Sequence, residues 1–153
     1  MKLKNVSKVR LCQKTSKVNI IKDKENFYIT SPHDVYEACH YFLKGETQEC
    51  FIAFALNTKN ELVAVREIFK GTLNSSLVHP RDVFQFGILN NAAAIIVCHN
   101  HPSNDPTYSR EDVEVTKRLI ECGHLMGIEV LDHIIYTDEK FVSLKEMHVC
   151  SFD

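Results

Sequence analysis

Residues 92–119, AAAIIVCHNHPSNDPTYSREDVEVTKRL, constrain the fold more than any other stretch of the chain. The run from Ala92 to Cys98 is apolar, too short for a helix and rich in β-branched side chains, which predicts a fully buried strand. His99 and His101 follow at its end, then a loop rich in Pro and Asp. Ser109 then opens an amphipathic helix with Asp112 in its first turn. Residues two apart in a strand face the same side, so the two imidazoles can present their rings to one point. Asp112, one short loop later, can fold back towards that point. Two imidazoles and one carboxylate leave a fourth position open, the ligand count of a catalytic rather than a structural zinc site.

Each part of this constellation has a simpler explanation. Ser109-x-x-Asp112 ahead of an apolar run is a capping-box-like signature, so both residues have a structural reason to be there. A His-x-His at a strand end is, alone, weak evidence for a metal. The combination carries more: His-x-His, seven residues, Ser, two residues, Asp, in a strand–loop–helix setting.

That spacing resembles the JAMM (MPN-plus) metalloprotease signature. The text around it, in FKGTLNSSLVHPRDVF, NAAAIIVCHNHPSNDP, SREDVEVTKRL and GIEVLDHIIY, resembles the RadC family of so-called DNA repair proteins. With the helix near residues 31–43, the resemblance covers about residues 30–147. It implies a JAMM/MPN-like domain that binds Zn²⁺ through His99, His101 and Asp112 and hydrolyses peptide or isopeptide bonds. One departure is Asn104, where the family usually has Gly after His-Pro-Ser. Asn tolerates positive φ better than most residues, so the loop is expected to form.

A zinc hydrolase needs a base, and Glu67 is the candidate. In the strand expected over Leu62–Phe69, the two-residue period places Val63, Val65, Glu67 and Phe69 on one face. A carboxylate in line with three large apolar residues is costly without a partner, and a metal site would supply one. The opposite choice turns Ala64, Arg66 and Ile68 inward, and the charge of Arg66 makes it no better. The resemblance agrees with the first choice, because JAMM enzymes carry their catalytic Glu on a strand upstream of the His-x-His. In the resulting scheme Glu67 takes a proton from water and passes it to the leaving amine. Ser109 donates a hydrogen bond to the developing oxyanion, a role that competes with capping.

The other polar residues read as structural. Asp105 and Asn100 shape the loop, since Asn and Asp favour turns, with bonds to the histidines as their alternative. Asp132-His133 reads as a satisfied internal pair rather than a second metal site. Arg81 follows a helix entry at His79-Pro80 and is a candidate to face substrate. His33, His40, His124 and His148 have no ligand-like spacing.

At 153 residues and 44% hydrophobic, the chain suffices for one globular domain. MKLKNVSKVR leads into polar residues with no apolar core, so no secretory signal is expected. No apolar run is long enough to span a membrane. The six cysteines, Cys12, Cys39, Cys50, Cys98, Cys122 and Cys150, show no CxxC pairing and suit free thiols in a reducing cytoplasm.

Net charge is −2, but residues 1–17 carry six basic side chains and no acidic one. From residue 18 onwards 12 basic face 20 acidic residues, a balance of −8. The basic arm can touch nucleic acid or an acidic partner, or be a solvated terminus. The acidic body argues against a broad DNA-binding surface. Full-length RadC proteins also carry a helix-hairpin-helix-like region, and the roughly 30 residues ahead of the resemblance here hold no Gly-rich hairpin. The expected partner is thus a peptide or protein substrate, with nucleic acid second. The rival reading is a non-catalytic protein- or DNA-interaction module on the MPN scaffold.

In chain order the pattern predicts a basic arm and hairpin over 1–30, Val18–Ile21 pairing with Phe27–Thr30, and one domain over 31–153. Ser31-Pro32 starts a helix with Val35, Ala38, Cys39 and Phe42 on its apolar face and Gly45 as stop. Phe51–Leu56 and Leu62–Phe69 form a hairpin about Asn57–Asn60. A helix over 80–90 turns Val83, Phe84 and Ile88 inward. The helix over 109–124 carries Val115, Leu119, Cys122 and Met126 on one face, and Gly127 ends it. Strands Ile128–Tyr136 and Lys140–Leu144 close the domain. The fold class is α/β: a mixed β-sheet flanked by helices, with a cytidine-deaminase-like three-layer arrangement as one form of it.

Overall fold

The computed structural model describes residues 14, 16, 26–72 and 78–152. The elements run α1 (Pro32–Leu43), β1 (Glu49–Leu56), β2 (Leu62–Gly71), α2 (Pro80–Leu89), β3 (Ala94–Asn100), α3 (Arg110–Met126), β4 (Glu129–Tyr136) and β5 (Phe141–Ser143). The five strands form one sheet in the order β2-β1-β3-β4-β5. β3 and β4 are parallel and the other neighbouring pairs antiparallel, so the sheet is mixed.

Both faces of the central strands are covered, and the two-residue period divides them. Phe51, Ala53, Ala55, Ile95 and Val97 join a core under α2 and α3. Ile52, Phe54, Leu56, Ile96 and Cys98 join a second core under α1. The molecule is therefore three layers, helix–sheet–helix. β3 is buried at every residue, as its apolar run predicts.

The helix ends follow their local chemistry. The Ser31 side chain accepts from the Asp34 N–H while Asp34 reaches back to the Ser31 N–H, and Pro32 sits at the first helical position of α1. Gly127 ends α3 in the left-handed conformation, at φ 66°.

Several expectations shift. β3 begins two residues later than Ala92, because Asn91 turns out of α2 at φ 49° and Ala92 still bonds back to Gly87. Among the described residues, Phe27–Thr30 makes a single bridge, Tyr28 to Glu61, at the β1–β2 turn. Its expected partner Val18–Ile21 lies outside the described residues. Ile88 is 48% exposed, and α2 instead turns Phe86 and Gly87 inward. A Cβ on Gly87 would lie 2.7 Å from Ile95, so contact with the sheet falls on a residue that apolar counting ignores. Met126 is also 48% exposed, because the buried stripe of α3 runs through Thr116 and Gly123.

Gly123 decides how closely α3 lies on β4. A Cβ there would meet the Ile128 carbonyl oxygen at 2.6 Å, a backbone atom with no rotamer to escape into. Gly123→Ala is expected to destabilise the domain by about 1–3 kcal/mol, read from the denaturant midpoint. An unchanged midpoint would show that α3 can lift without cost.

Candidate metal centre

His99 extends the β3 stripe Ile95–Val97 towards α3, is fully buried, and lies parallel to the Phe51 ring with centroids 6.1 Å apart. His101 stands just past the strand end, held in line by its N–H bond to the Tyr136 carbonyl at 2.9 Å. The chain then reverses. Asn104 adopts φ 64°, the left-handed conformation for which Asn substitutes for Gly. Asp105 accepts from the Thr107 N–H and hydroxyl at 2.9 and 2.7 Å in a tight side-chain turn.

This turn delivers Ser109 as the N-cap of α3. The Ser109 Oγ accepts from the Asp112 N–H at 3.1 Å, and the Ser109 N–H donates to Asp112 Oδ2 at 2.7 Å. The cap uses an oxygen lone pair and leaves the hydroxyl proton for another acceptor, so capping and donation do not exclude each other. The Asp112 carboxylate is thereby locked facing the histidines, at 4% exposure.

The three side chains converge. His99 Nε2 and His101 Nε2 are 2.9 Å apart, Asp112 Oδ1 is 3.1 Å from His99 Nε2, and Asp112 Oδ2 is 3.6 Å from His101 Nε2. One ligand atom from each lies within 4.8 Å of the others. The protons fit a cation. His101 Nδ1 is 2.7 Å from the Asp105 carbonyl, which can only accept, so Nδ1 carries the hydrogen and the neutral ring presents its Nε2 lone pair inward. A lone pair converging with a second imidazole and a buried carboxylate is the arrangement a divalent cation neutralises.

Without a cation, protons do part of that work. Burial pushes Asp112 up, but the His101 and His99 hydrogen bonds outweigh it and hold the carboxyl well below its usual range. Burial pulls His101 down, but Asp112 and the Asp105 carbonyl outweigh it and raise the imidazole.

Glu67 is not part of this cluster. It is exposed on β2, opposite Ile52. A register shift between Phe51 and Ile52 breaks the expected single face: Val65 packs on the α1 side and Phe69 on the α2–α3 side. Phe51 pairs with His99 and Phe69 alike, so Glu67 stands near the level of His99 two strands away, about 10 Å by strand spacing. Its partner Ile52, however, puts Glu67 on the α1 face of the sheet, whereas His99 is on the α3 face. Arg81 is exposed on α2. Asn100 clamps the β1 edge, accepting from the Cys50 N–H at 2.6 Å and donating to the Gln48 carbonyl at 2.9 Å.

Asp132 and His133 do not pair through their side chains. Asp132 accepts from the Ser143 hydroxyl at 2.6 Å and from backbone N–H groups. The His133 ring turns instead to His99, 2.7 Å from Nε2 to Nδ1, and so adjoins the candidate metal centre. A histidine in an apolar strand signals a buried polar group that needs a partner; its spacing does not name the partner.

The sequence matches the RadC-like JAB domain over residues 29–149. The chain belongs to the RadC-like JAB-domain family. This RadC-like domain is 51% identical over 131 residues to the UPF0758 protein YsxA of Bacillus subtilis, covering 86% of the chain and 57% of that protein. It is 54% identical over 120 residues to a UPF0758 protein of Geobacillus, covering 78% and 53% respectively. A UPF0758 protein of Clostridium perfringens is 52% identical over 121 residues, covering 79% and 53%. The chain spans about half the length of these relatives. Among the described residues, no helix of the RadC-like domain is long and apolar enough to cross a membrane.

A pH dependence follows for the metal-free domain. The raised His101 contributes stability that is fully present below the ordinary imidazole value of 6.5 and is lost as pH rises through its folded value. Metal ligation needs the neutral ring, so affinity runs the other way. Between about pH 6 and pH 8 the metal-free melting temperature is expected to fall while zinc affinity rises. Parallel trends would exclude proton–metal competition at His101.

Proposed function

We propose that this domain is a zinc-dependent hydrolase of peptide or isopeptide bonds, acting on a peptide or protein substrate in a reducing, cytoplasmic setting. The observation that carries this reading is the convergence of His99, His101 and Asp112 on one point at the end of β3. The free thiols of Cys39, Cys50, Cys98, Cys122 and Cys150 suit that compartment.

His99, His101 and Asp112 would hold the cation. Zn²⁺ bound there supplies a Lewis acid that polarises the scissile carbonyl and makes water easier to deprotonate. His99, His101 and Asp112 also suit iron or manganese, and zinc is preferred by the family resemblance. A cavity of about 290 Å³ beside His101, bounded by Asn100, Tyr136 and Asp138, offers room for the chain next to the scissile amide.

The protein supplies the proton transfers. Glu67 takes a proton from the attacking water and delivers it to the leaving amine, so an amide and water become a carboxylic acid and an amine. Glu67 lies on the α1 face of the edge strand β2, so this role requires its side chain to turn over the sheet edge towards bound substrate. The Ser109 hydroxyl donates to the developing oxyanion, a role worth roughly 3 kcal/mol. Part of this role is positional: the cap fixes Ser109 and Asp112 together.

Metal content of the purified protein tests the reading first. About one zinc per chain, lost in a His99→Ala/His101→Ala variant, is expected. No metal in the wild type after zinc is supplied would favour the non-catalytic interaction module, with the basic residues 1–17 as its contact. For the loaded protein, Glu67→Gln is expected to keep the zinc and to lower hydrolysis of a cleaved peptide by at least about a hundredfold. Retained activity would remove Glu67 from the scheme.

A further inference from the structure

His133 and Thr116 lie beneath the metal centre, and no step of the proposed hydrolysis uses them. They are 1% and 0% exposed. The His133 ring has two polar contacts: Nε2 to His99 Nδ1 at 2.7 Å and Nδ1 to Thr116 Oγ1 at 2.6 Å. Phe51 closes the site edge-on, with centroids 5.5 Å apart.

Counting protons fixes the direction of this chain. Thr116 Oγ1 is 2.6 Å from the Asp112 carbonyl one turn back, and that oxygen can only accept. The single hydroxyl proton therefore goes to the α3 backbone. Thr116 Oγ1 can then meet His133 Nδ1 only as an acceptor, so Nδ1 bears hydrogen. A second proton on His133 would be a buried charge with no carboxylate bonded to its ring, which is costly. Nε2 thus keeps its lone pair and accepts from His99 Nδ1–H. That leaves His99 Nε2, which faces His101 and Asp112, as the ring nitrogen where a cation can replace a proton shared with Asp112.

We propose that Thr116 and His133 are positioning residues that set the His99 tautomer for metal binding. The relay runs from β3 through β4 to α3 and ends on the carbonyl of Asp112, tying two ligands on separate elements into one hydrogen-bonded circuit. The opposite direction defeats ligation. A proton given by Thr116 to His133 Nδ1 would put one on Nε2, which would then donate to His99 Nδ1 and drive the His99 proton onto the ligating nitrogen. This inference rests on the metal reading of the site.

Two measurements test it. Nitrogen NMR of histidine-labelled, metal-free protein reads the tautomers directly, and competition with a chromophoric chelator reads zinc affinity. Hydrogen on Nδ1 of both His99 and His133 is expected; hydrogen on His133 Nε2 overturns the relay. Thr116→Val, which keeps the shape but not the hydroxyl, is expected to bind zinc about tenfold more weakly, with Thr116→Ser within about threefold of wild type. Unchanged affinity in Thr116→Val, or equal losses in both variants, overturns the proposal.

Should Thr116→Val fail to fold, His133→Gln and His133→Met decide. The Gln carbonyl can accept from His99 Nδ1 and is expected to hold affinity near wild type, while Met loses about tenfold; equal affinities overturn the relay. Variants that fail this test while the wild type binds zinc remove the relay alone. A wild type with the expected tautomers that takes up no zinc removes the metal reading, and the relay's role with it.

Discussion

The Asp112 carboxylate is the group on which the site depends. It sits at 4% exposure in the first turn of α3, where leaving a charge uncompensated would cost several kcal/mol. The Ser109 N–H and the positive end of the helix offset part of that cost. His99 and His101 offset the rest, and they can do so only if the end of β3 and the start of α3 are brought together. The loop between them is built for this: a left-handed Asn104, the side-chain turn of Asp105, and the Asp105 carbonyl that orients His101. The same carboxylate can be satisfied by a proton on an imidazole or by a cation. A metal ion bound there would therefore compete with the proton for one site.

The three-layer sheet makes that meeting point rigid. β1 and β3 lie at its centre with helices on both sides, so their side chains have little freedom once the cores under α1 and under α2–α3 close. His99 continues the stripe that faces α3. The parallel β3–β4 pair joined through α3 places two strand ends and one helix start together, where α/β sheets commonly bind ligands.

How far local pattern reaches is visible residue by residue. Ser109, Asp112, His99 and His101 were legible because their convergence depends on short-range geometry: the two-residue strand period, one turn and one cap. Ile88 and Met126 misled because helix contact with the sheet is set by Gly87 and Gly123, whose lack of a side chain admits the closest approach. The face expected for Glu67 failed for another reason. A bulge in β2, where Phe51 and Ile52 face Phe69 and Glu67 with Ile68 between them, turned Phe69 to the opposite side from Val65. A strict two-residue count along β2 does not reveal it.

The amino-acid sequence by itself pointed to the family, the mixed sheet and the cluster of His99, His101 and Asp112, the last because it rests on residues close along the chain. Only the tertiary structure decided that His133 turns away from Asp132 to His99, that Thr116 stands behind it, and that Glu67 lies two strands from the cluster. Those placements depend on how strands pair across the sheet, including the shift between Ile95 and Ile96 that sets β4 against β3. Strand register is a property of the packed pair, settled by both cores at once.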